Sequence, residues 1–416
     1  MAAWSGNVMT GDGPWLWVVG IGEDGWEGLN PEARRAVAGA EVLYGGMRHL
    51  GMVPLHASSA NSVAWPSPMA PALERILTEH RRKTRVAVLA SGDPMLYGVG
   101  VTLTRDLAAT EFRIVPQVSA FSLACARLGW PMAETTLISV VSRPVEQVLR
   151  QLYPNERILV FSQDGNSPAS VARLLTEAGY GSSHLEVFEN LGGPFEKWTS
   201  GVARHWPPCP CGPLNVIAIR CVPDPGILPL PPVPGLPDAA FDTDGQMTKR
   251  EIRAVTLSSL APLPHQALWD VGAGTGSIGI EWMRSHPSCS CTAFEVREDR
   301  ALRIQRNASR FGVPGMRVIQ GQAPATFAGQ QQPNAIFIGG GVCNEELFQA
   351  CWGNLAPGGR LVANAVTLQS EASLIARHRV HGGDLMRMTV SRAEPIGGSY
   401  GWRPAMPITQ WRVIKP

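Results

Sequence analysis

The sequence predicts an α/β protein of two domains, and three observations carry that prediction. Apolar runs of strand length alternate with amphipathic segments through most of the 416 residues. A proline-dense stretch divides the chain, and in the second part a glycine-rich loop follows a buried-strand pattern. At ~100 to 200 residues per domain, the length suits two or three domains. With 44% hydrophobic and 17% charged residues, global disorder is not expected, and no apolar run approaches the ~18 to 20 residues needed to cross a bilayer. The 36 Lys and Arg against 34 Asp and Glu leave a net charge of +2, which argues against a nucleic-acid partner.

From the N-terminus, MAAWSGNVMTGDG lacks both a basic n-region and a sustained apolar h-region, so a cytoplasmic protein is expected. Strand patterns at Leu16 to Gly20, Arg85 to Ala90 and Phe112 to Val118 alternate with helical ones at Pro31 to Ala40 and Val99 to Ala109. A second series has strands near Thr136 to Val141, Arg157 to Ser162, His184 to Glu189 and Asn215 to Cys221. Helices are expected near Val145 to Leu152 and Ala169 to Ala178, so this half reads as two α/β lobes. Pro223 to Pro237 holds seven prolines in 15 residues, which favours an extended, semi-rigid linker with few core-forming side chains. Beyond it, strands are expected at Ala267 to Val271, Thr292 to Val296, Arg317 to Gln320, Ala335 to Ile338 and Arg360 to Ala365. Leu385 to Ala393 and Thr409 to Ile414 then form an antiparallel hairpin that closes a parallel sheet. The eight cysteines are expected to remain thiols. Cys209 with Cys211 and Cys289 with Cys291 have one-residue spacing in separate halves, a poor zinc pattern.

In LWDVGAGTGSIGIEWMR, the strand ends near Asp270 and glycines fall at 272, 274 and 276 before a helical pattern begins at Ser277. Glycines allow positive φ and close approach of a ligand, and the helix N-terminus offers free N–H groups. The next strand ends at Glu295, where a carboxylate can accept both hydroxyls of a ribose. Asp270 suits a cationic amino-acid moiety, as in S-adenosylmethionine. Gly274, Gly276 and Gly279 also satisfy G-x-G-x-x-G, so an NAD(P)-dependent oxidoreductase stays open as an alternative.

GQMTKREIRAVTLSSLAPLPHQALWDVGAGTGSIGIEW, followed by FEVREDRALRIQRNASRFGV, GQAP, FIGGG and LAPGGRLVANAVTL, resembles the C-terminal domain of the decarboxylating precorrin-6Y C5,15-methyltransferases. These are bifunctional enzymes of cobalamin biosynthesis. The resemblance implies that S-adenosylmethionine is held by Thr248, by the loop of Gly272, Ala273, Gly274, Thr275 and Gly276, by Glu295 at the ribose, and by Ala323 beside the adenine. Gln322 departs from the Asp or Asn often found before that alanine.

Upstream, WVVGIGEDG, AEVLYGGMRHL, VLASGDPMLYGVG and ENLGGPFEKW resemble the tetrapyrrole methylase family, in the version fused to the same C-terminal partner. By that resemblance Gly20 and Gly22 form a turn at the substrate cleft. Ser91, Gly92, Asp93, Pro94, Leu96, Ser119 and Ala120 bind a second S-adenosylmethionine. Gln117 replaces a glycine, and Val141-Ser142 replace a His-Gly pair.

The implied architecture is a two-lobed tetrapyrrole methylase domain at 15–222, a linker at 223–241, and a Rossmann-like seven-stranded methyltransferase domain at 242–416. The first domain is expected to methylate C5 of precorrin-6B. The second is expected to methylate C15 and decarboxylate the C12 acetate, giving precorrin-8X. A non-catalytic, tetrapyrrole-holding first half is the other alternative. The substrate's carboxylates call for cations, for which Arg48, His49, Arg143, Lys249, Arg250 and Arg253 are candidates. A homo-oligomer is expected, and no proton-transfer residue can be named.

Overall fold

The computed structural model describes residues 13–416, so most of the N-terminal stretch behind the compartment expectation lies outside the described residues. The chain forms two compact units, one of residues up to Arg143 with Pro154–Asp224, the other of Pro144–Tyr153 with Pro225–Pro416. No helix among the described residues is long and apolar enough to cross a membrane.

The first unit carries two five-stranded sheets. β1 (Leu16–Ile21), β2 (Val42–Gly45), β3 (Asn61–Ala64), β4 (Val86–Ser91) and β5 (Phe112–Val115) pair in the order β3-β2-β4-β1-β5, all parallel. β1 and β4 are buried on both faces between two apolar clusters, as their unbroken Val, Leu and Ala runs require. β6 (Thr136–Ser139), β7 (Arg157–Phe161), β8 (His184–Glu189), β9 (Lys197–Val202) and β10 (Asn215–Arg220) make a mixed sheet in the order β6-β7-β10-β8-β9. β2 and β3 escape the sequence reading because each is only four residues long, and β9 because it is mostly exposed or half-exposed, so periodicity is weak. Ser119 starts the helix Ala120–Leu128 by accepting the Ser122 N–H, and Gly129, in the left-handed region, stops it.

In the second unit, β11 (Ala267–Val271), β12 (Ser290–Glu295), β13 (Arg317–Gln320), β14 (Ala335–Ile338) and β15 (Arg360–Ala365) are parallel. β16 (Asp384–Met388) and β19 (Ile408–Ile414) complete the seven-stranded sheet antiparallel, in the order β13-β12-β11-β14-β15-β19-β16. Between them, β17 (Ser391–Ile396) and β18 (Ser399–Pro404) form a separate two-stranded ribbon. The expected strand from Leu385 to Ala393 therefore breaks at Thr389 and Val390, where the chain leaves the sheet to enter the ribbon.

Two further readings are corrected. Val145–Gln151 is a 3-10 helix that belongs to the second unit, where Arg150 Nη2 donates to the Arg284 carbonyl at 3.1 Å. The proline stretch is not free of core residues. Leu236 is buried in the second unit's core with Leu230 against it, and the N–H groups of Gly235 and Leu236 bond Glu281 at 2.7 and 3.0 Å.

Candidate functional sites

The strand order of the second unit reverses direction between β11 and β14, and a ligand crevice is expected outside the carboxyl ends of such strands. A cavity of about 510 Å³ lies there. Thr248, Gly272, Ala273, Gly274 and Thr275 line it, together with Phe337 in β14, Gly339 just beyond that strand and Asn364 near the end of β15. Gly272, Gly274 and Gly276 all have positive φ, at 72°, 59° and 75°. A Cβ on Gly274 would meet nothing closer than the Gln246 carbonyl at 3.9 Å, so it would project into open space at the loop.

Glu295 is buried at the tip of β12 rather than on the cavity wall, but it is joined to the loop. Its carboxylate accepts the Gly274 N–H at 2.9 Å and the Arg297 N–H at 3.0 Å. Gly276 and Ala323 do not line the cavity. A Cβ on Gly276 would strike Ile304 at 2.7 Å, so this glycine permits close packing against the helix Glu298–Arg310. Ala323 packs beside the apolar cluster around Phe327, and the departing Gln322 is exposed.

Asp270 does not reach the ligand space. It is 1% exposed, and one carboxylate oxygen accepts the Gly279 N–H at 3.0 Å while the other has no partner among the described residues. Burial pushes its pKa up to about 7; the Gly279 bond opposes the rise and the charge of Glu295 adds to it. An aspartate facing a cationic amino acid is thus replaced by one that anchors the helix Ser277–Ser285 to β11.

Arg253 is corrected as well. It is fully buried, bonding Glu281 at 2.6 Å and Asp238 at 3.0 Å, so it cannot reach a substrate. Arg250 is off the cavity, whereas Lys249 lines it. Missed by the sequence reading are Arg300, Arg392, Glu251 and a wall of Met388, Val390, Met406 and Ile408. Glu251 and Arg300 stand in the quoted motifs, whereas Arg392 and the apolar wall had no signal beyond the two C-terminal strand patterns and the Gly- and Pro-containing segment between them. That segment folds back as the ribbon bordering the cavity.

In the first unit a cavity of about 360 Å³ lies between the two sheets. Ser91, Gly92, Asp93, Leu96, Ser119 and Ala120 line it, and Asp93 shapes the turn by accepting the Met95 N–H at 2.8 Å. Pro94 is buried behind the turn, where its carbonyl accepts the Gly100 N–H at 3.1 Å. Gly20 is a close-approach glycine: a Cβ there would lie 2.0 Å from the Gly92 carbonyl oxygen. Gly22 lines a small adjoining cavity with Glu23 and Arg48.

From the second lobe come Ser139, Phe161, Ser162 and Asn215, which sequence order could not bring to the Ser-Gly-Asp-Pro turn. Three atoms on cavity residues, His49 Nδ1, Ser162 Oγ and Asn215 Oδ1, are buried with no hydrogen-bond partner among the described residues. Such groups suit a polar ligand.

Arg48 pairs with Glu23 and donates to Ser91 Oγ at 3.2 Å and to His49 Nε2 at 2.8 Å. Burial and the neighbouring Arg48 push the His49 pKa down to about 4, so His49 is neutral near pH 7 and is not the expected cation. Arg143 is exposed, its guanidinium 5.0 Å from the ring centre of Tyr97, itself a cavity residue. At the departures, Gln117 spans to the Gly28 carbonyl at 2.7 Å, and Ser142 takes φ of 55°, a conformation natural to the glycine it replaces.

Residues 15–205 match the family model of tetrapyrrole (corrin/porphyrin) methylases, and residues 239–415 match that of the precorrin methyltransferase domain. A Sinorhizobium relative named precorrin-6Y C(5,15)-methyltransferase (decarboxylating) is 49% identical over 403 residues, covering 97% of each chain. Shorter relatives carry single activities in their names. A cobalt-precorrin-6B C(15)-methyltransferase (decarboxylating) of Salmonella typhi is 37% identical over 168 residues, 39% of this chain and 85% of that one. A cobalt-precorrin-7 C(5)-methyltransferase of Salmonella typhimurium is 31% identical over 193 residues, 46% of this chain and 90% of that one.

Proposed function

Since the chain belongs to the decarboxylating precorrin-6Y C5,15-methyltransferase family, we propose that it uses S-adenosylmethionine to methylate precorrin-6B at C5 and C15, with loss of the C12 acetate carboxyl. The observation that carries this reading is the near-full-length likeness, together with two cavities each built at the carboxyl end of a strand. The C5 transfer is assigned to the first unit, and the C15 transfer with decarboxylation to the second. Support comes from the residues matched by each family model and from shorter relatives named for one reaction each.

S-adenosylmethionine supplies a methyl group already activated on a sulfonium, so the chain's task is to position the carbon nucleophile, a contribution of ~7 to 11 kcal/mol. In the second unit the loop Gly272 to Thr275, Thr248 and Glu295 hold the cofactor. The wall of Met388, Val390, Met406 and Ile408 offers an apolar face to a flat macrocycle. In the first unit the Ser91 to Leu96 turn, Ser119 and Ala120 hold it, with Asn215 Oδ1 and Ser162 Oγ available as polar contacts. A nicotinamide enzyme is not favoured. The second glycine of its fingerprint, which would admit the pyrophosphate, is Gly276, and that residue faces Ile304.

The test is mass spectrometry of products from the full chain supplied with precorrin-6B and S-adenosylmethionine. Two added methyl groups and one lost carbon dioxide are expected. A product unchanged in mass overturns the reading.

A further inference from the structure

One ion pair at the mouth of the second unit's cavity is left unused by the cofactor loop. Arg392, on β17 of the ribbon, donates through Nη2 to Glu251 Oε2 at 2.6 Å, and both residues line the cavity. Their side chains are 57% and 41% exposed, and pairs so open to water contribute little to stability. Arg300, another cation on this wall, is already committed to Asp244 at 2.8 Å and Gln246 at 2.6 Å, and its side chain is mostly buried. Arg392 is thus the guanidinium whose partner is cheapest to exchange, carried on a ribbon that lies outside the seven-stranded sheet.

Resting on the tetrapyrrole reading above, we propose that Arg392 is a specificity-determining anchor for a peripheral carboxylate of the substrate, and that Glu251 holds the guanidinium in place until that carboxylate displaces it. Arg392 donates a single charge-assisted hydrogen bond to Glu251, and a planar guanidinium can donate one or two to a substrate carboxylate, so the exchange loses no such bond. Glu251 also opposes the substrate directly, because its own negative charge faces the space an anionic macrocycle enters.

The two members of the pair are therefore predicted to act with opposite sign. KM for precorrin-6B is read from carbon dioxide release by the full chain at saturating S-adenosylmethionine. Arg392→Gln is expected to raise KM about fivefold to tenfold, the loss of one partly screened charged contact. Glu251→Gln is expected to lower it. Arg403→Gln, which removes the ribbon's own pair with Glu394, serves as the control and is expected to leave KM in place. An Arg392→Gln variant with unchanged KM, a Glu251→Gln variant that fails to lower it, or an Arg403→Gln variant that shifts it as Arg392→Gln does, overturns the proposal. Wild-type enzyme that releases no carbon dioxide from precorrin-6B instead overturns the functional reading, before any variant is compared.

Discussion

Glu295 fastens the glycine loop, and under the proposed function it also meets the cofactor's ribose. Its two oxygens accept the Gly274 and Arg297 N–H groups, and each keeps a lone pair for a ribose hydroxyl. Glu295→Ala is expected to weaken one of two S-adenosylmethionine binding events by ~1 to 3 kcal/mol and to leave the other unchanged, as measured by titration calorimetry on the full chain. Two unaltered affinities would remove Glu295 from the ribose role. At Asp270 the folded-state pKa of about 7 stands above its ordinary 3.8. The folded protein thus binds this proton more tightly than the unfolded one. Its contribution is present in full below about pH 4 and is lost as pH rises through about 7. Asp270→Asn is expected to flatten that decline in the urea midpoint of the second unit between about pH 4 and about pH 7. A wild-type decline that survives the substitution would assign it to another group. The sequence placed both residues beside the glycine loop, where the structure finds them bonded to Gly274 and Gly279. The direction of the Asp270 side chain was not legible, because it depends on Gly279 approaching β11 closely enough to donate.

Among the elements, the segment from Gly235 to Thr248 is fastened to two helices by one buried cation. Arg253 bonds Glu281 and Asp238 and the carbonyls of Leu236 and Thr248, and Glu281 in turn accepts the Gly235 and Leu236 N–H groups. Arg253→Met would leave Glu281, whose side chain is 2% exposed, buried without its cation. A loss of ~3 to 5 kcal/mol is expected in chemical unfolding of the second unit. A loss under ~1 kcal/mol would mean that water reaches the pair. The sequence offered Arg253 as one more cation beside Lys249 and Arg250, since the partners that bury it arrive from 15 residues upstream and 28 downstream. Strands β11 and β14 were legible because buried, largely apolar runs bounded by turns specify them locally. The ribbon and β9 were not: their side chains are mostly exposed or half-exposed and carry little hydrophobic signal.

At the scale of the whole chain, each unit carries its own strand-end turn, Ser91 to Leu96 in one and Gly272 to Thr275 in the other, and each turn borders its own cavity. If each cavity holds a cofactor, as proposed, the two reactions are separable. Gly274→Val places a branched side chain in the open space beside the loop, at a φ of 59° that β-branched residues avoid. Asp93→Asn keeps an acceptor for the Met95 N–H while removing the charge. The most direct measurement is the product mass formed from precorrin-6B by the full chain carrying each substitution, with the unfolding transition of each unit recorded alongside. Gly274→Val is expected to abolish carbon dioxide loss together with one methyl transfer, and Asp93→Asn to yield a decarboxylated product bearing a single new methyl group. Carbon dioxide loss that persists in Gly274→Val and disappears in Asp93→Asn would contradict the account by reversing the assignment of reactions to units.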